Sequence, residues 1–382
     1  MRTEATVITN ESASILELRK QLGKLITVLE LIGIPILEEK HEKGLKCFLL
    51  MVTKLCYPCF LHFSTIFQWR GTIRRGEEDY AAIIDMVVPL MVTIMWWMIY
   101  TRRLSLKTFL IHLANTMSTN LVSKTRYLAF AVNVSLCLIF VYPFLLIKVK
   151  LLQHSENTVS MVEGFRYVHE IIFPAVVSVM YTAICYLLLE NLRIFEFRFR
   201  KELNFSSVVA ITALKKKYMA VVKGVEMFED LFSAPALFLV MKSFCTVSIV
   251  VMDMMYIPEW ISKLSLEVFF YFAFIFVSLG ILTVYAGNIP LEMSRIKAIL
   301  LDIASEQSGP DGLFCGEKQI QCIIQRDVTF LTGWNIFNFD RGFLLKSLIT
   351  VIAQAVLIFQ LGVTVSKSGG SSDTSSKNSS TF

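Results

Sequence analysis

Seven stretches of about 20 to 24 mostly apolar residues run through the 382-residue chain, at 47–69, 81–100, 127–147, 168–189, 234–257, 266–288 and 342–365. A bilayer core about 30 Å thick is crossed by about 20 residues of α-helix rising 1.5 Å each. The third stretch, Tyr127 to Ile147, contains no charged residue, whereas the first carries Lys54, Pro58 and His62. Within hydrocarbon a helix satisfies its own backbone hydrogen bonds. These runs specify an all-α membrane protein with seven transmembrane helices. Composition agrees: 55% of residues are apolar and 18% charged, against about 25% charged in soluble chains. That balance excludes a disordered chain, a secreted disulfide scaffold and a soluble enzyme.

The distribution of Lys and Arg sets the expected orientation. The N-terminal segment and the second, fourth and sixth loops hold seven, five, eight and five of them, twenty-five in all. The first, third and fifth loops and the tail hold nine. The N-terminus is therefore expected in the cytoplasm and the C-terminus outside, the reverse of a G-protein-coupled receptor. The net charge of +6 is a topology signal, and no nucleic-acid partner is expected. No signal peptide is expected either, because Leu22–Leu37 is broken by Lys24, Glu30 and Pro35; that patch reads as an amphipathic helix on the cytosolic surface or as a loop cover. Cys56 and Cys59 sit mid-run beside Pro58 and read as packing residues rather than a redox pair. Five scattered His and no zinc-type spacing or nucleophile motif leave no catalytic, cofactor or metal site to expect.

The cytosolic loops at 190–233 and 289–341 are long and carry helical periodicity. Ile211, Leu214, Tyr218, Val222, Val225 and Phe228 recur at three- and four-residue steps in one; Met293, Ile296, Leu300 and Ile303, then Ile320, Ile323, Ile324, Val328 and Leu331, do so in the other. An apolar stripe outside the bilayer must be covered, either within its own chain or by further copies. Lys215, Lys216 and Lys217 read as a solvated face that can touch anionic lipid.

The last span is chemically unusual. Lys346, Ser347, Thr350, Gln354, Gln360 and Thr364 interrupt it, mostly at helical spacing. Such groups face protein or water, so the stripe either bonds to neighbouring helices or lines a pore. Phe330-Leu-Thr-Gly-Trp-Asn-Ile-Phe-Asn-Phe-Asp-Arg341 and the following Gly342 to Leu361 resemble the C-terminal signature of arthropod gustatory receptors. In that family a Gly–Phe–Asp-type turn introduces a last span with Thr-Tyr, five apolar residues and Gln-Phe. Gln360 matches the Gln and Ala355–Phe359 the apolar run; Ala353, Gln354 and Leu361 stand where the family has Thr, Tyr and Phe.

The resemblance implies a ligand-gated, non-selective cation channel in the plasma membrane, a homo- or hetero-tetramer that binds a small-molecule tastant and contacts membrane lipid. By carry-over, Leu357 and Gln360 form the gate and constriction, Thr364 lines the outer mouth, and Thr350 with Gln354 the inner vestibule. The family's tastant pocket lies in the outer half between the second to fourth and sixth spans. In this chain that region holds Asp85, Tyr142, His169, Glu170, Phe173, Phe270 and Tyr271. The expected domains are a cytosolic segment 1–46, a seven-span domain 47–365 with cytosolic helical loops 190–233 and 289–341, and a disordered extracellular tail 366–382. Competing readings are an odorant receptor-type subunit of the same superfamily and a multispan small-molecule transporter, although no repeat relates the two halves as many transporters require.

Overall fold

The computed structural model describes residues 21–36, 45–75, 80–117, 122–153, 166–202, 208–256, 265–307, 317–340 and 342–350, with Arg19 and Gly164 and, in the last helix, Ile352, Ala353, Val356, Leu357 and Gln360. Helix dominates throughout. We label α1 (21–31), α2 (Leu45–Arg75), α3 (Tyr80–Thr101), α4 (Arg103–Thr116), α5 (Val122–Gln153), α6 (Phe173–Glu202), α7 (Val208–Tyr256), α8 (Ser265–Gln307), α9 (Glu317–Ile324) and α10, which begins at 343 and includes the described residues to Gln360. A π-turn, Val168–Ile172, leads into α6. Two short strands, β1 (Thr332–Gly333) and β2 (Phe337–Asn338), form a hairpin between α9 and α10.

The described part of each expected span falls on one of these helices, the fourth opening with the π-turn. Four described segments are long and apolar enough to cross a membrane, Arg126–Val149, Val168–Lys201, Ile211–Val251 and Val268–Asp302, and a shorter apolar stretch covers Asp85–Thr101. Burial separates their roles. In the most apolar window of α6, 78% of residues are buried, against 28% in those of α5 and α8. The sixth helix is therefore the centre of the packing, while α5 and α8 leave Phe130, Phe144, Phe269 and Val277 exposed. A surface that apolar faces lipid or another chain.

The long helices continue past the expected spans: α6 runs to Glu202, α7 begins at Val208 and α8 runs to Gln307. The stripe from Ile211 to Phe228 is buried at every position, packed within this chain against α4 and α6: Phe228 meets Phe109 and Tyr181, and Tyr218 meets Phe195. Met293, Ile296 and Leu300 of α8, with Ile320 and Ile323 of α9, are buried in the same core. The chain covers these residues itself; Ile303 lies outside the residues whose side chains are described.

The N-terminal patch also folds inward. Leu22, Leu25, Ile26 and Leu29 of α1 are buried, and Trp96 Nε1 of α3 donates to Ile32 O at 3.0 Å. Gly33 turns the chain there at φ +84°, with Lys54 O and Pro58 close to where a Cβ would stand. Between α2 and α3, Trp97 Nε1 donates to His62 Nε2 at 3.2 Å and the hydroxyls of Thr65 and Thr93 meet at 3.0 Å. Of the residues that interrupt the first span, His62 thus serves an interhelical bond.

Candidate functional site

Three regions carry chemistry, beginning with the hairpin that feeds α10. Trp334 and Asn335 both have left-handed φ, 48° and 56°, and Ile336 N–H closes the turn on Gly333 O at 2.9 Å. Left-handed backbone at a bulky residue is costly, so the turn needs outside bonds, and α7 supplies them. Trp334 N donates to Ser233 O at 3.0 Å and to Ser233 Oγ at 2.8 Å. Thr332 N donates to Glu229 Oε2 at 3.0 Å, and the Thr332 hydroxyl bonds Glu229 Oε1. Beyond the turn, Phe337 stacks on Phe343 at 4.5 Å, and Phe339 meets Phe343 and Tyr181. The base of α10 is thus gripped by aromatic rings that the hairpin holds against α6 and α7.

From this base α10 presents two faces. Phe343, Leu344, Ser347 and Leu348 turn inward; Leu344 and Leu348 pack with Phe244 and Val247 of α7 and with Ile275, Phe276 and Leu279 of α8. Leu345, Ile349, Thr350, Ile352, Leu357 and Gln360 are exposed. Thr350 Oγ1 donates back to Lys346 O at 2.9 Å, and Lys346 Nζ lies 3.2 Å from Asp340. Of the five pore residues expected from sequence, Thr350, Leu357 and Gln360 share the outward part of the helix surface; Gln354 and Thr364 lie outside the described residues.

A second region sits at the π-turn. Arg166, not singled out by sequence, joins Asp85 at 2.8 Å and Glu170 at 3.4 Å. His169 is fully buried; its Nδ1 lies 3.1 Å from Ser64 Oγ and 3.4 Å from Gln68 Nε2. Arg166 thus bridges Asp85 of α3 and Glu170 of the π-turn, one cation between two carboxylates. Tyr142, Phe270 and Tyr271 gather around Leu146, Tyr167 and Ile171 in a separate apolar cluster. Phe173 is buried in the main core beside Tyr57.

The third region is a cavity of about 560 Å³ between α5, α6 and α8. None of the seven residues expected to touch ligand lines it. It lies beside their aromatic cluster, joined by Phe274, which lines the cavity and stacks on Tyr142 at 4.4 Å. No charged side chain lines the cavity. Its walls are aliphatic apart from Phe274, three tyrosines, Tyr127, Tyr186 and Tyr285, and the small hydroxyls of Ser135, Ser178, Thr182 and Ser278. Ser178 and Ser278 bond each other at 2.9 Å across α6 and α8. Small hydroxyls spaced along apolar helices were the available sequence signal. Among the described residues no three His, Cys, Asp or Glu side chains converge as a metal site.

No family model and no curated protein matches the chain. Solved structures do. The insect olfactory receptor OR5 from Machilis hrabei aligns with a TM-score of 0.70 at 15% identity, covering 91% of this chain and 99% of that one. The same receptor in complex with eugenol aligns with a TM-score of 0.69, at the same identity and coverage. At that identity the likeness speaks for the fold: the chain is an all-α membrane protein sharing the architecture of these insect olfactory receptor structures.

Proposed function

We propose that the chain is a subunit of a ligand-gated, non-selective cation channel of the insect chemoreceptor kind, with seven spans in the plasma membrane, a cytoplasmic N-terminus and an outside C-terminus. The observation that carries this reading is the fold likeness to an olfactory receptor over 91% of the chain. In this reading four copies, identical or mixed, arrange α10 around a central pore. The open face of α10 supports it, since Thr350, Leu357 and Gln360 are not covered by their own protomer. A ring of Leu357 side chains closes by dewetting, and a ring of Gln360 amides replaces part of a cation's hydration shell.

The ligand occupies the α5–α6–α8 cavity. OR5, whose structure was also solved in complex with eugenol, sets the precedent for a small organic ligand in this fold. Uncharged walls with a few hydroxyls suit a small, largely apolar molecule oriented by one or two hydrogen bonds. Binding there bears on the pore through α8. One side of α8, at Val277, Ser278 and Ile281, lines the cavity; the other, at Ile275, Leu279 and Gly280, meets Leu344 and Leu348 of α10. A shift of α8 is thus passed to α10 by direct packing.

Gln360 and the Gly333–Asp340 turn favour the gustatory branch, with a bitter or other apolar tastant. The apolar cavity favours a second reading, an odorant receptor-type subunit of the same superfamily. Expression of the chain with current recording during application of sugars, bitter compounds and apolar volatiles tests both. Cation current evoked by an apolar compound supports the channel reading, and the compound class separates the branches. Ligand uptake without current points to a transporter and overturns it.

A further inference from the structure

Two pairs of hydroxyls join helices in this chain, and they differ in what their hydrogens meet. Thr65 and Thr93 lie 3.0 Å apart, and each also reaches a carbonyl one turn back, Leu61 O and Pro89 O. Both of their hydrogens therefore have an acceptor. Ser178 of α6 and Ser278 of α8 lie 2.9 Å apart, and among the described residues neither hydroxyl has another partner. Two hydroxyls carry two hydrogens, and their mutual bond uses one. The second is left without an acceptor, at a pair whose Ser178 member is 4% exposed. Both serines line the apolar cavity, so the missing acceptor can arrive from there.

A ligand oxygen that accepts this hydrogen removes its desolvation cost. A hydroxyl does more than a carbonyl or an ether, because it also donates. Ser135 and Thr182 offer oxygens in the same wall that have no hydrogen-bond partner among the described residues. Thr182 stands one turn from Ser178 on the same face of α6, about 6 Å along the axis. A charged ligand is unsuited: no charged side chain lines the cavity, and an unpaired charge is costly away from water. The remaining surface of the ligand meets aliphatic side chains and the rings of Tyr127, Tyr186, Phe274 and Tyr285, which suits a compact apolar or aromatic body.

We propose that Ser178 and Ser278 form the polar subsite of this cavity and select an uncharged alcohol or phenol over a hydrocarbon of the same shape. This rests on the reading that the α5–α6–α8 cavity takes the ligand, and adds which ligands it prefers and which residues choose them. The test compares 2-phenylethanol with propylbenzene, in which a methyl group replaces the hydroxyl. Dissociation constants are measured by calorimetry on the purified full-length protein, and half-maximal concentrations by current recording in cells. Ser178→Ala and Ser278→Ala are each expected to weaken 2-phenylethanol by about fivefold, the worth of one hydrogen bond, and to leave propylbenzene unchanged. Ser278 is half-buried, so its variant decides the matter should Ser178→Ala fail to fold. Equal losses for both probes, no loss for either, or a wild type that binds no 2-phenylethanol overturns the proposal. The two readouts separate it from the channel reading. Selective binding without current keeps the subsite and sinks the channel, whereas ligand-evoked current that ignores both serine variants keeps the channel and sinks the subsite.

Discussion

The ring of Phe337 occupies the space that a side chain on Gly333 would need. A Cβ at Gly333 would lie 2.6 and 2.8 Å from Phe337 Cε1 and Cε2, and Cζ is nearer still. The ring is not free to retreat, because it stacks on Phe343 and meets Phe339 edge-on at 5.3 Å. Gly333→Ala is therefore expected to cost about 1–3 kcal/mol through overpacking and to loosen the base of α10. Gly23→Ala, in α1 where a Cβ meets nothing nearer than 3.7 Å, is expected to be neutral or stabilising by about 0.5–1 kcal/mol. Thermal unfolding of the two purified variants against wild type checks the contrast; equal midpoints for both would show that the hairpin tolerates a side chain.

Thr332→Val tests the anchoring of the same turn to α7. It removes the hydroxyl that bonds Glu229 and accepts from Asn335 N at 3.1 Å, and leaves a partly buried carboxylate oxygen short of a donor. A loss of about 1–3 kcal/mol is expected. Thr332→Ser keeps the hydroxyl and should retain most of the stability, so a Ser variant as unstable as the Val variant would speak against the bond.

Arg166 holds two carboxylates that would otherwise repel. Arg166→Met is expected to destabilise by about 1–3 kcal/mol, less than a fully buried pair would lose because Arg166 is one-third exposed. Adding Glu170→Gln removes one of the stranded charges and should recover part of the loss. A double variant no more stable than Arg166→Met, by the same unfolding measurement, would contradict the electrostatic account.

Filling the apolar cavity should weaken the ligand response without touching conduction. Thr182→Trp projects into a space lined by α5, α6 and α8. The expected effect is an increase of about tenfold or more in the half-maximal ligand concentration, equivalent to about 1.4 kcal/mol, at unchanged unitary conductance. Concentration–response curves and single-channel records on the same variant read the two quantities separately. An unshifted curve would place the ligand elsewhere.

What the sequence makes legible here is whatever depends on periodicity. Ile211, Leu214, Tyr218, Val222, Val225 and Phe228 announce a buried face by their spacing alone, and each is buried. Periodicity leaves open what covers that face, because the same stripe suits an intrachain partner and a second copy; Phe109 and Tyr181 supply the answer from 102 or more and 30 or more residues away in sequence. Arg166 escapes notice because a lone Arg near a helix start reads as an orientation signal, and its partner Asp85 is 81 residues distant. The apolar cavity escapes because small hydroxyls along apolar helices are its one hint, and the absence of side-chain volume at Ala131, Ala175 and Ala183 adds no motif to it. Gly333 does announce a constraint, but only the packed ring of Phe337 gives it a cause.

The central claim is that α10 lines a cation pore, and ligand-evoked single-channel current from wild type, Leu357→Ala and Gln360→Glu tests it most directly. Leu357→Ala should raise the ligand-independent open fraction by on the order of tenfold, about 1.4 kcal/mol in the closed–open balance, because a smaller ring no longer dewets the gate. Gln360→Glu should shift the reversal potential toward greater cation, especially divalent, permeability, since a ring of carboxylates replaces a ring of amides. Unchanged open fraction, conductance and reversal potential in both variants, with the protein at the cell surface, would contradict the account.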